Sequence, residues 1–379
     1  MTEEEEPLSP MARLFQSPEV DYCIVTIMGF KTKICTDVLL DALDHNVSKH
    51  PRFCTKLTEN GAKWIEAKIN VQDHVVVPYI YPEEIGEDGQ GFVDDYISRL
   101  TMIPLDRSRP LWDMHILNVK TSDAEAVGVI RSHHSLGDGM SLISLMLACT
   151  HRTLDPQNTD IHSLKRRETV LRGLRNQCWF LRLRFTVCSI ATLLWNTLVD
   201  MLLLLATVLF LKDTKVAQIV GTINDVLVGV TQAALSSYLN RLYGNKKKEE
   251  DGALTSYPNH LPDRLRFRVG CVVNQRSDIG LQAAATLFNQ PVKNATTCLS
   301  NVSGPMDEIS FRGNPIAYIA LSSYGHSQAL LVHYISYAGK MIISLAVDPT
   351  IIPDPHKICD DMEESLESMK AALSAKESL

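Results

Sequence analysis

The sequence predicts an α/β fold made of two units. Apolar runs typical of strands alternate with stretches of helical spacing in the first 162 residues, and the alternation returns after residue 216. At 379 residues the chain is long enough to build two hydrophobic cores. The predicted division is an N-terminal half over 1–162, a basic and then strongly apolar linker over 163–216, and a C-terminal half over 217–379.

Local patterns predict the elements of the N-terminal half in turn. The acidic start, up to Pro7, has the composition of a disordered tail. Thr36 and Asp37 are suited to the N-terminal cap of a helix that Pro51 would end. Periodicity then predicts strands over 22–28, 63–66, 113–119 and 126–130, a loop over 86–91, and helices over 93–100 and 140–147.

The C-terminal half has strands and helices of its own. Asn224 and Asp225 precede a stretch of amphipathic spacing, which predicts a helix that ends near Tyr243. The charged run over 244–252 has the composition of a solvated loop. Further along, the patterns predict a strand over 265–273, a hairpin that turns at 338–340, and a helix over 360–373 whose acidic first half matches the helix dipole.

Charge and cysteine usage exclude several classes of protein. The formal net charge is −7 and no basic stripe runs through a predicted folded segment, so nucleic acid is not an expected partner. The nine cysteines are scattered, odd in number and without a C-x-x-C pair, as is typical of reduced thiols in a cytosol-facing protein. The start of the chain is acidic, the opposite of the basic start of a cleavable signal peptide.

The linker contains the longest apolar stretch of the chain. The segment 185–211 carries a single charged side chain, that of Asp200, and is long enough to span a bilayer. Its N-terminal flank is rich in Lys and Arg, which predicts that this flank faces the cytosol. Three interpretations stay open: a span, a helix lying in the membrane interface, and a buried linker, in which Asp200 would cost less than in lipid. Membrane association is the favoured expectation.

One motif concentrates acid–base groups where a predicted strand gives way to a helix. The run His133-His134-Ser135-Leu136-Gly137-Asp138-Gly139 follows the strand over 126–130. A histidine held on such a turn can take a proton from a hydroxyl group near neutral pH. Histidines on a loop can also be purely structural, and His and Asp can bind zinc. Because the chain offers no clear third and fourth ligand, no metal site is expected.

Several motifs, found in order along most of the chain, resemble those of the wax ester synthase/diacylglycerol acyltransferase family, and two of them resemble its plant branch. They are Leu8-Ser9-Pro10-Met11-Ala12-Arg13 at the start, Pro110-Leu111-Trp112, the His-His-x-x-x-Asp-Gly run, Asn224-Asp225, Ser300-Asn301-Val302-Ser303-Gly304-Pro305, and Asp348-Pro349 near the end.

The resemblance implies a fold and a mechanism. The fold is chloramphenicol-acetyltransferase-like, with two α/β domains, mixed sheets and a central tunnel that acyl-CoA and an alcohol enter from opposite faces. His134 would be the general base of a catalytic motif that also includes Asp138 and Gly139, and His133 would have a supporting role. Backbone amides around 137–139, together with donors from the C-terminal half, would stabilise the oxyanion.

Further site residues follow from the matching motifs. In related condensation domains an arginine after the first helix pairs with the motif aspartate, so an Arg52–Asp138 ion pair is predicted. From the residues alone, Trp112 is equally suited to packing the core, and Asn224-Asp225 to capping a helix. Gly304-Pro305 would also suit a plain turn. The substrate-binding residues that the resemblance implies are Pro110, Leu111, Trp112, Asn224, Asp225, Asn301, Gly304 and Pro305.

The implied function is acyl-CoA-dependent O-acyl transfer to long-chain fatty alcohols, to diacylglycerol, or to both. The implied location is the endoplasmic reticulum membrane and/or the plasma membrane, with the catalytic part facing the cytosol. Acyl-CoA is the co-substrate and no cofactor is implied. The second half is shorter than the family pattern after 215–216 and after 280–281. Two alternative hypotheses therefore stay open: a catalytically impaired lipid-binding member, and an acyltransferase for a smaller alcohol or amine.

Overall fold

The computed structural model describes residues 5–17, 20–47, 51–58, 61, 63–86, 89–137, 142, 151–152, 195, 223–251, 261, 269–272, 295–311 and 313–377. The chain divides into two units. The first unit combines Met1–Ile161 with Pro262–Gln275 and Gln282–Lys357, and the second combines His162–Leu261 with Arg276–Leu281 and Ile358–Leu379. The boundaries of the three predicted segments stay a prediction.

The described elements follow one another in a mixed α/β order. They are β1 (Glu6–Pro7), α1 (Pro10–Phe15), β2 (Cys23–Phe30), α2 (Thr36–Val47), β3 (Thr55–Leu57), β4 (Lys63–Glu66), β5 (Val75–Val76), α3 (Pro82–Ile85), α4 (Gly89–Thr101), β6 (Trp112–Leu117), β7 (Ala126–His133), β8 (His151–Arg152), α5 (Ile223–Asp251), β9 (Val269–Val272), β10 (Thr297–Ser303), β11 (Ile309–Phe311), β12 (Asn314–Tyr324), β13 (Leu330–Tyr337), β14 (Lys340–Val347) and α6 (Pro355–Glu377).

A seven-stranded sheet dominates the first unit, with the order β5-β6-β7-β2-β12-β11-β8. Strand β2 lies between β7 and β12 and pairs antiparallel with both, which explains why it is apolar and buried along nearly its whole length. Strand β12 comes from the predicted C-terminal half and has no counterpart among the predicted elements. Its pairing with β2 joins the predicted N- and C-terminal halves in one sheet.

The two faces of this sheet pack against different partners. Met28, Met114 and Ile116 belong to a large core cluster that also contains apolar residues of α2. Val25, Val127 and Val129 belong to a second cluster, which contains residues of α4. This alternation along each strand follows from the two-residue period of side chains in a strand.

Two smaller sheets complete the described part of this unit. One has the order β1-β4-β3, and the other has the order β14-β13-β10-β9. In the second, β10 pairs parallel with β9 and β13, whereas β13 and β14 form an antiparallel hairpin. Ala338 and Gly339 form its turn with φ angles of 48° and 75°, so the predicted hairpin is confirmed.

Helices α5 and α6 account for most of the described residues of the second unit. Val230, Ala234 and Tyr238 of α5 are buried at helical spacing. Arg241 of α5 binds the carboxylate of Asp361 in α6 through both terminal nitrogens, with the Nη1–Oδ1 pair at 2.7 Å. A bidentate ion pair of this kind fixes the orientation of both side chains.

Several predicted elements need correction. The start is not wholly a disordered tail, because Glu6–Pro7 pairs with β4 and Glu5 forms an ion pair with Lys63. The loop predicted over 86–91 ends earlier, since α4 begins at Gly89. Helix α5 does not end near Tyr243 but continues through the charged run to Asp251, where lysines and glutamates favour a helix. The helix predicted over 140–147 lies outside the described residues, apart from Leu142.

The predicted apolar linker lies almost wholly outside the described residues. Of the segment 185–211 only Trp195 is described, and its side chain is exposed. In the described part of the chain, no helix combines the length and the apolar character needed to cross a bilayer. The predicted membrane association of 163–216 therefore stays a prediction.

Candidate active site

The two histidines of the motif occupy the end of β7 and the 3₁₀ turn that follows it. The backbone N–H of His134 donates a hydrogen bond to the carbonyl oxygen of Tyr22 over 2.8 Å. The imidazole of His134 stacks on the ring of Phe15, with centroids 4.0 Å apart and planes 17° apart. His134 is only partly buried, so its imidazole is held against an aromatic face while part of its surface stays open.

His133, by contrast, is enclosed by hydrogen-bond partners and is only 2 % exposed. Its Nδ1 accepts the backbone N–H of Ser135 at 3.1 Å, which places the ring proton on Nε2. That Nε2–H donates to Oδ1 of Asp21 over 2.7 Å. Burial lowers the pKa of His133, and Asp21 opposes this effect. His133 is therefore a neutral, fixed imidazole near neutral pH.

A polar network ties this turn to the N-terminal helix. Gln16 donates from Nε2 to Oγ of Ser135 over 2.8 Å, and its Oε1 accepts from Arg107 over 2.6 Å. Arg107 also donates to Oδ1 of Asp21 at 3.0 Å. Helix α1, which ends at Phe15 next to Gln16, is capped by Ser9, whose Oγ accepts the N–H of Ala12. The network thus fixes both the backbone of the motif and the aromatic ring under His134.

Sequence reasoning missed Gln16, Asp21 and Arg107. Gln16 and Asp21 lie 119 and 112 residues from the motif residues that they bind, in segments without a recognisable motif spacing of their own. Only the pairing of β2 with β7 brings Asp21 next to His133, since Cys23 is the register partner of His133. The signal that the sequence offers near Gln16 and Asp21 is the start motif over 8–13.

Comparison with known proteins identifies the chain. The family model of the wax ester synthase/diacylglycerol acyltransferase catalytic domain matches residues 39–236, and that of the WS/DGAT C-terminal domain matches residues 275–370. The chain is similar to wax ester synthase/diacylglycerol acyltransferase 7 of Arabidopsis thaliana, with 57% identity over 98% of both chains. It is 55% identical to wax ester synthase/diacylglycerol acyltransferase 8 of the same plant over 98% of this chain and 97% of the relative.

The chain belongs to the wax ester synthase/diacylglycerol acyltransferase family. The predicted family is thereby confirmed. The fold is also similar to that of the wax ester synthase/diacylglycerol acyltransferase from Marinobacter aquaeolei VT8, with a TM-score of 0.57 at 16% identity. That match covers 97% of this chain and 99% of the solved one, and it confirms the predicted fold class.

The chain is shorter than its plant relatives. The alignment with the first of them extends over 471 positions, whereas this chain has 379 residues, so at least 92 aligned positions (471 minus 379) have no residue in this chain. The alignment nevertheless reaches over 98% of that relative. The prediction that the chain is shorter than the family pattern is confirmed for this relative, and the assignment of the shortening to the second half stays a prediction.

The Pro110-Leu111-Trp112 segment of this family member lies directly beside the His133-His134 motif. All three residues are buried, and the carbonyl oxygen of Leu111 accepts the backbone N–H of His133 at 3.0 Å. The indole N–H of Trp112 donates to the carbonyl oxygen of Phe53, and its ring stacks on His74. Trp112 also lines a cavity of about 50 Å³, together with Ser132. This volume is too small to hold a long acyl chain. That Pro110, Leu111 and Trp112 line an acyl channel therefore stays a prediction.

The predicted Arg52–Asp138 ion pair is not settled, because Asp138 and Gly139 lie outside the described residues. Arg52 binds Glu6 through Nη2 at 2.8 Å, and its guanidinium lies over the ring of Trp64, 5.7 Å from the ring centroid. Among the described residues, Nη1 of Arg52 is buried without a hydrogen-bond partner. The Arg52–Asp138 pair therefore stays a prediction.

The remaining predicted residues fall into different parts of the fold. Asn224 and Asp225 are exposed in the first turn of α5, in the second unit. Asn301 is opposite Tyr334 in the pairing of β10 with β13, in the same unit as His134.

A Cβ atom on Gly304 would lie 2.2 Å from the carbonyl oxygen of Ser336, so only glycine fits there. The carbonyl oxygen of Pro305 accepts the N–H of Ala338. Gly304 and Pro305 thus fix the start of the β13–β14 turn.

No metal centre is found in the described ranges, where no cluster of three or more His, Cys, Asp or Glu side chains could hold a metal ion. The chemistry of the described site is that of imidazole, hydroxyl, amide and carboxylate groups.

Proposed function

We propose that this protein transfers an acyl group from acyl-CoA to a lipid hydroxyl, and so makes wax esters from long-chain alcohols, triacylglycerol from diacylglycerol, or both. Family membership and 57% identity to a named wax ester synthase/diacylglycerol acyltransferase support this proposal. The observation that carries it for this chain is His134, partly open and stacked on Phe15, next in the chain to a neutral and anchored His133.

The proposed reaction needs one base. His134 takes the proton of the acceptor hydroxyl, and the hydroxyl oxygen attacks the carbonyl carbon of the thioester. The tetrahedral intermediate then collapses, the carbon–sulfur bond breaks, and the leaving thiolate of CoA takes the proton back from His134. No covalent bond to the protein forms, and acyl-CoA is a co-substrate rather than a cofactor.

The polar network positions the base rather than reacting. His133 cannot serve as the base, because its Nδ1 accepts the N–H of Ser135 and its Nε2–H is bound to Asp21. Gln16 and Arg107 hold the other side of the turn. A turn fixed in this way keeps His134 in one orientation before the substrates arrive, which lowers the entropic cost of reaching the transition state.

The proposed setting is the cytosolic face of the endoplasmic reticulum membrane and/or the plasma membrane. The support is the long apolar segment 185–211 with its basic flank, together with the water-insoluble acceptors. Extraction of a membrane fraction with alkaline carbonate tests the mode of attachment. Protein that stays in the pellet indicates a span, release indicates peripheral attachment, and absence from membranes before extraction refutes the association.

One observation favours a second candidate function. Because at least 92 positions of its relative have no counterpart here, the chain could bind acyl lipids without turning them over. An acyltransferase for a smaller alcohol or amine is the other alternative.

The deciding experiment measures acyl transfer from labelled palmitoyl-CoA by the purified protein, with hexadecanol, diacylglycerol and a short-chain alcohol offered separately. His134→Ala should lower the rate by about 10²–10⁴-fold, the range of general acid–base catalysis. His356→Ala, which removes an exposed histidine of α6, is the matched control and should leave the rate unchanged. Ester from neither lipid acceptor refutes the proposal. Equal rates for wild type and His134→Ala refute the role of His134 alone.

A further inference from the structure

The imidazole of His134 lies over the face of an aromatic ring. Its centroid is 4.0 Å from that of Phe15, and the two planes are only 17° apart. The face of a benzene ring carries the negative end of its quadrupole, so a cation placed over it is attracted. A neutral imidazole gains much less from the same position. The contact with Phe15 therefore stabilises the protonated form of His134 more than the neutral form.

The ring of Phe15 is fixed in this position. It is 7 % exposed and belongs to a small buried cluster with Val20 and Tyr22. The ring of Tyr22 packs against it at a tilt of 47°, with the centroids 5.9 Å apart. The residue next to Phe15 is Gln16, whose side chain is hydrogen-bonded to the turn that carries His134. The aromatic face therefore does not have to reorganise when the charge on His134 changes.

Several titratable or charged groups lie around this stack. Those that the neighbouring elements supply, among the described residues, are His133, Asp21, Tyr22, Arg107 and His326. The carboxylate of Asp21 is paired with Arg107 at 3.0 Å and accepts the Nε2–H of His133. Burial raises the pKa of the Tyr22 phenol, so this group stays neutral.

The imidazole that stacks on Tyr22 is neutral as well. It belongs to His326, in the loop after β12, and the two centroids are 3.7 Å apart. Burial lowers the pKa of His326 to about 3, and burial lowers the pKa of the neighbouring His333 in β13 to about 4. The described surroundings of His134 thus consist of paired charges, neutral groups and the face of Phe15.

The proposed acyl transfer changes the charge of His134. The imidazole becomes an imidazolium when it takes the proton of the acceptor hydroxyl, as the hydroxyl oxygen attacks the carbonyl carbon of the thioester. It stays an imidazolium until the carbon–sulfur bond breaks and the leaving thiolate takes the proton. An interaction that is stronger during this interval than in the resting enzyme lowers the barrier of the reaction. The stack on Phe15 is an interaction of this kind.

We propose that Phe15 is a positioning residue of the active site: its ring holds the imidazole of His134 in one orientation, and the face of the ring stabilises the imidazolium that forms during the transfer. Phe15 is not part of the motifs that resemble the family pattern. The inference rests on the proposed function, and it adds to that function a stabilising group that has neither a charge nor a hydrogen-bond donor.

The kinetic test changes the electrostatic field of the ring and its shape separately. Pentafluorophenylalanine in place of Phe15 keeps the shape of the ring but reverses the sign of its quadrupole, and Phe15→Leu removes the ring. In both variants kcat should fall by about 2–30-fold, the range that a cation gains over an aromatic face between exposed and desolvated sites. The acidic limb of the kcat–pH profile should shift to lower pH, because a less stable imidazolium leaves the base neutral over a wider range. Phe15→Tyr, which keeps the face, should retain most of kcat.

Phe92→Leu is the matched control, since it removes a partly buried ring from α4 in the same unit and should leave kcat unchanged. Circular dichroism checks that each variant is folded. A normal kcat of the pentafluorophenylalanine variant overturns the inference while the proposed function stands, because the shape of the ring is then sufficient without its field.

A second readout does not depend on turnover. Nitrogen-15 NMR of histidine-labelled full-length protein follows the protonation of His134, whose signal is identified by its loss in His134→Ala. The midpoint of this titration should lie at lower pH in the pentafluorophenylalanine variant than in the wild type, and equal midpoints overturn the inference. If the wild type makes no ester, the proposed function fails, and the midpoints still show whether Phe15 stabilises the imidazolium.

Discussion

Gly325 offers a direct test of how the β12–β13 loop is held against the chain at Asp21, next to the His133-His134 turn. Replacing it with alanine has two effects: it places a Cβ atom on a backbone with φ of +90°, and it drives that atom to 2.2 Å from the carbonyl oxygen of Asp21. Gly313 provides a matched control. Its φ is +84°, and nothing lies within 4 Å of the added Cβ.

The magnitudes follow from these contacts. Gly313→Ala should cost about 1–2 kcal/mol in the free energy of unfolding, the price of a left-handed backbone for a residue with a Cβ atom. Gly325→Ala has the same backbone cost, and the added Cβ atom must also move the loop away from Asp21. That movement loses the stack of His326 on Tyr22 and its hydrogen bond to Ser323, which together add about 1–3 kcal/mol.

Urea titrations followed by circular dichroism measure the difference between the two variants, and acyl-transfer assays on the same preparations measure its effect on kcat. We expect Gly325→Ala to be the less stable variant and the only one with a reduced kcat. Equal stability of the two variants would refute the close packing of the loop on Asp21. Lower stability with normal kcat would show that the position of the β12–β13 loop does not affect catalysis.

Two further predictions concern buried charge. Arg131 is 3 % exposed and donates from Nε to Asp113 over 2.9 Å. Asp113→Ala leaves it as an uncompensated buried cation, so the free energy of unfolding should fall by about 3–5 kcal/mol. A urea midpoint equal to that of the wild type would contradict this. The pKa values of His326 and His333, about 3 and about 4, lie below the ordinary 6.5, so the unfolded chain binds their protons first as the pH falls. Stability should therefore be highest above about pH 6.5 and decrease towards pH 4, by up to about 1.4 kcal/mol per pH unit for each histidine. Urea titrations across this range check the slope, which should become shallower in the double variant His326→Gln, His333→Gln.

Local patterns in the sequence were sufficient for much of the fold. The strand over 126–130 is confirmed as part of β7, because a β-branched run between turn residues has few other stable conformations. The helix predicted after Thr36 and Asp37 and the hairpin at 338–340 are confirmed, since helical periodicity and turn residues act over short stretches of chain. The predicted cap is wrong, because Thr36 and Asp37 both lie inside the first turn of the helix. The helix beyond Tyr243 was missed because glycine and a charged run look like a loop when read alone.

For the candidate site, too, some features follow from the sequence and others only from the tertiary structure. The sequence by itself determined the motif, its place at the end of a strand and the family, because these depend on residue order. The tertiary structure alone decided that Asp21 and Gln16 anchor His133, and that β12 lies beside β2 and brings His326 to Tyr22. Such pairings join residues up to about three hundred positions apart, and local periodicity carries no information about which strand edge a distant segment will pair with. They are selected by the burial and hydrogen bonding of the whole sheet, so only the folded chain reveals them.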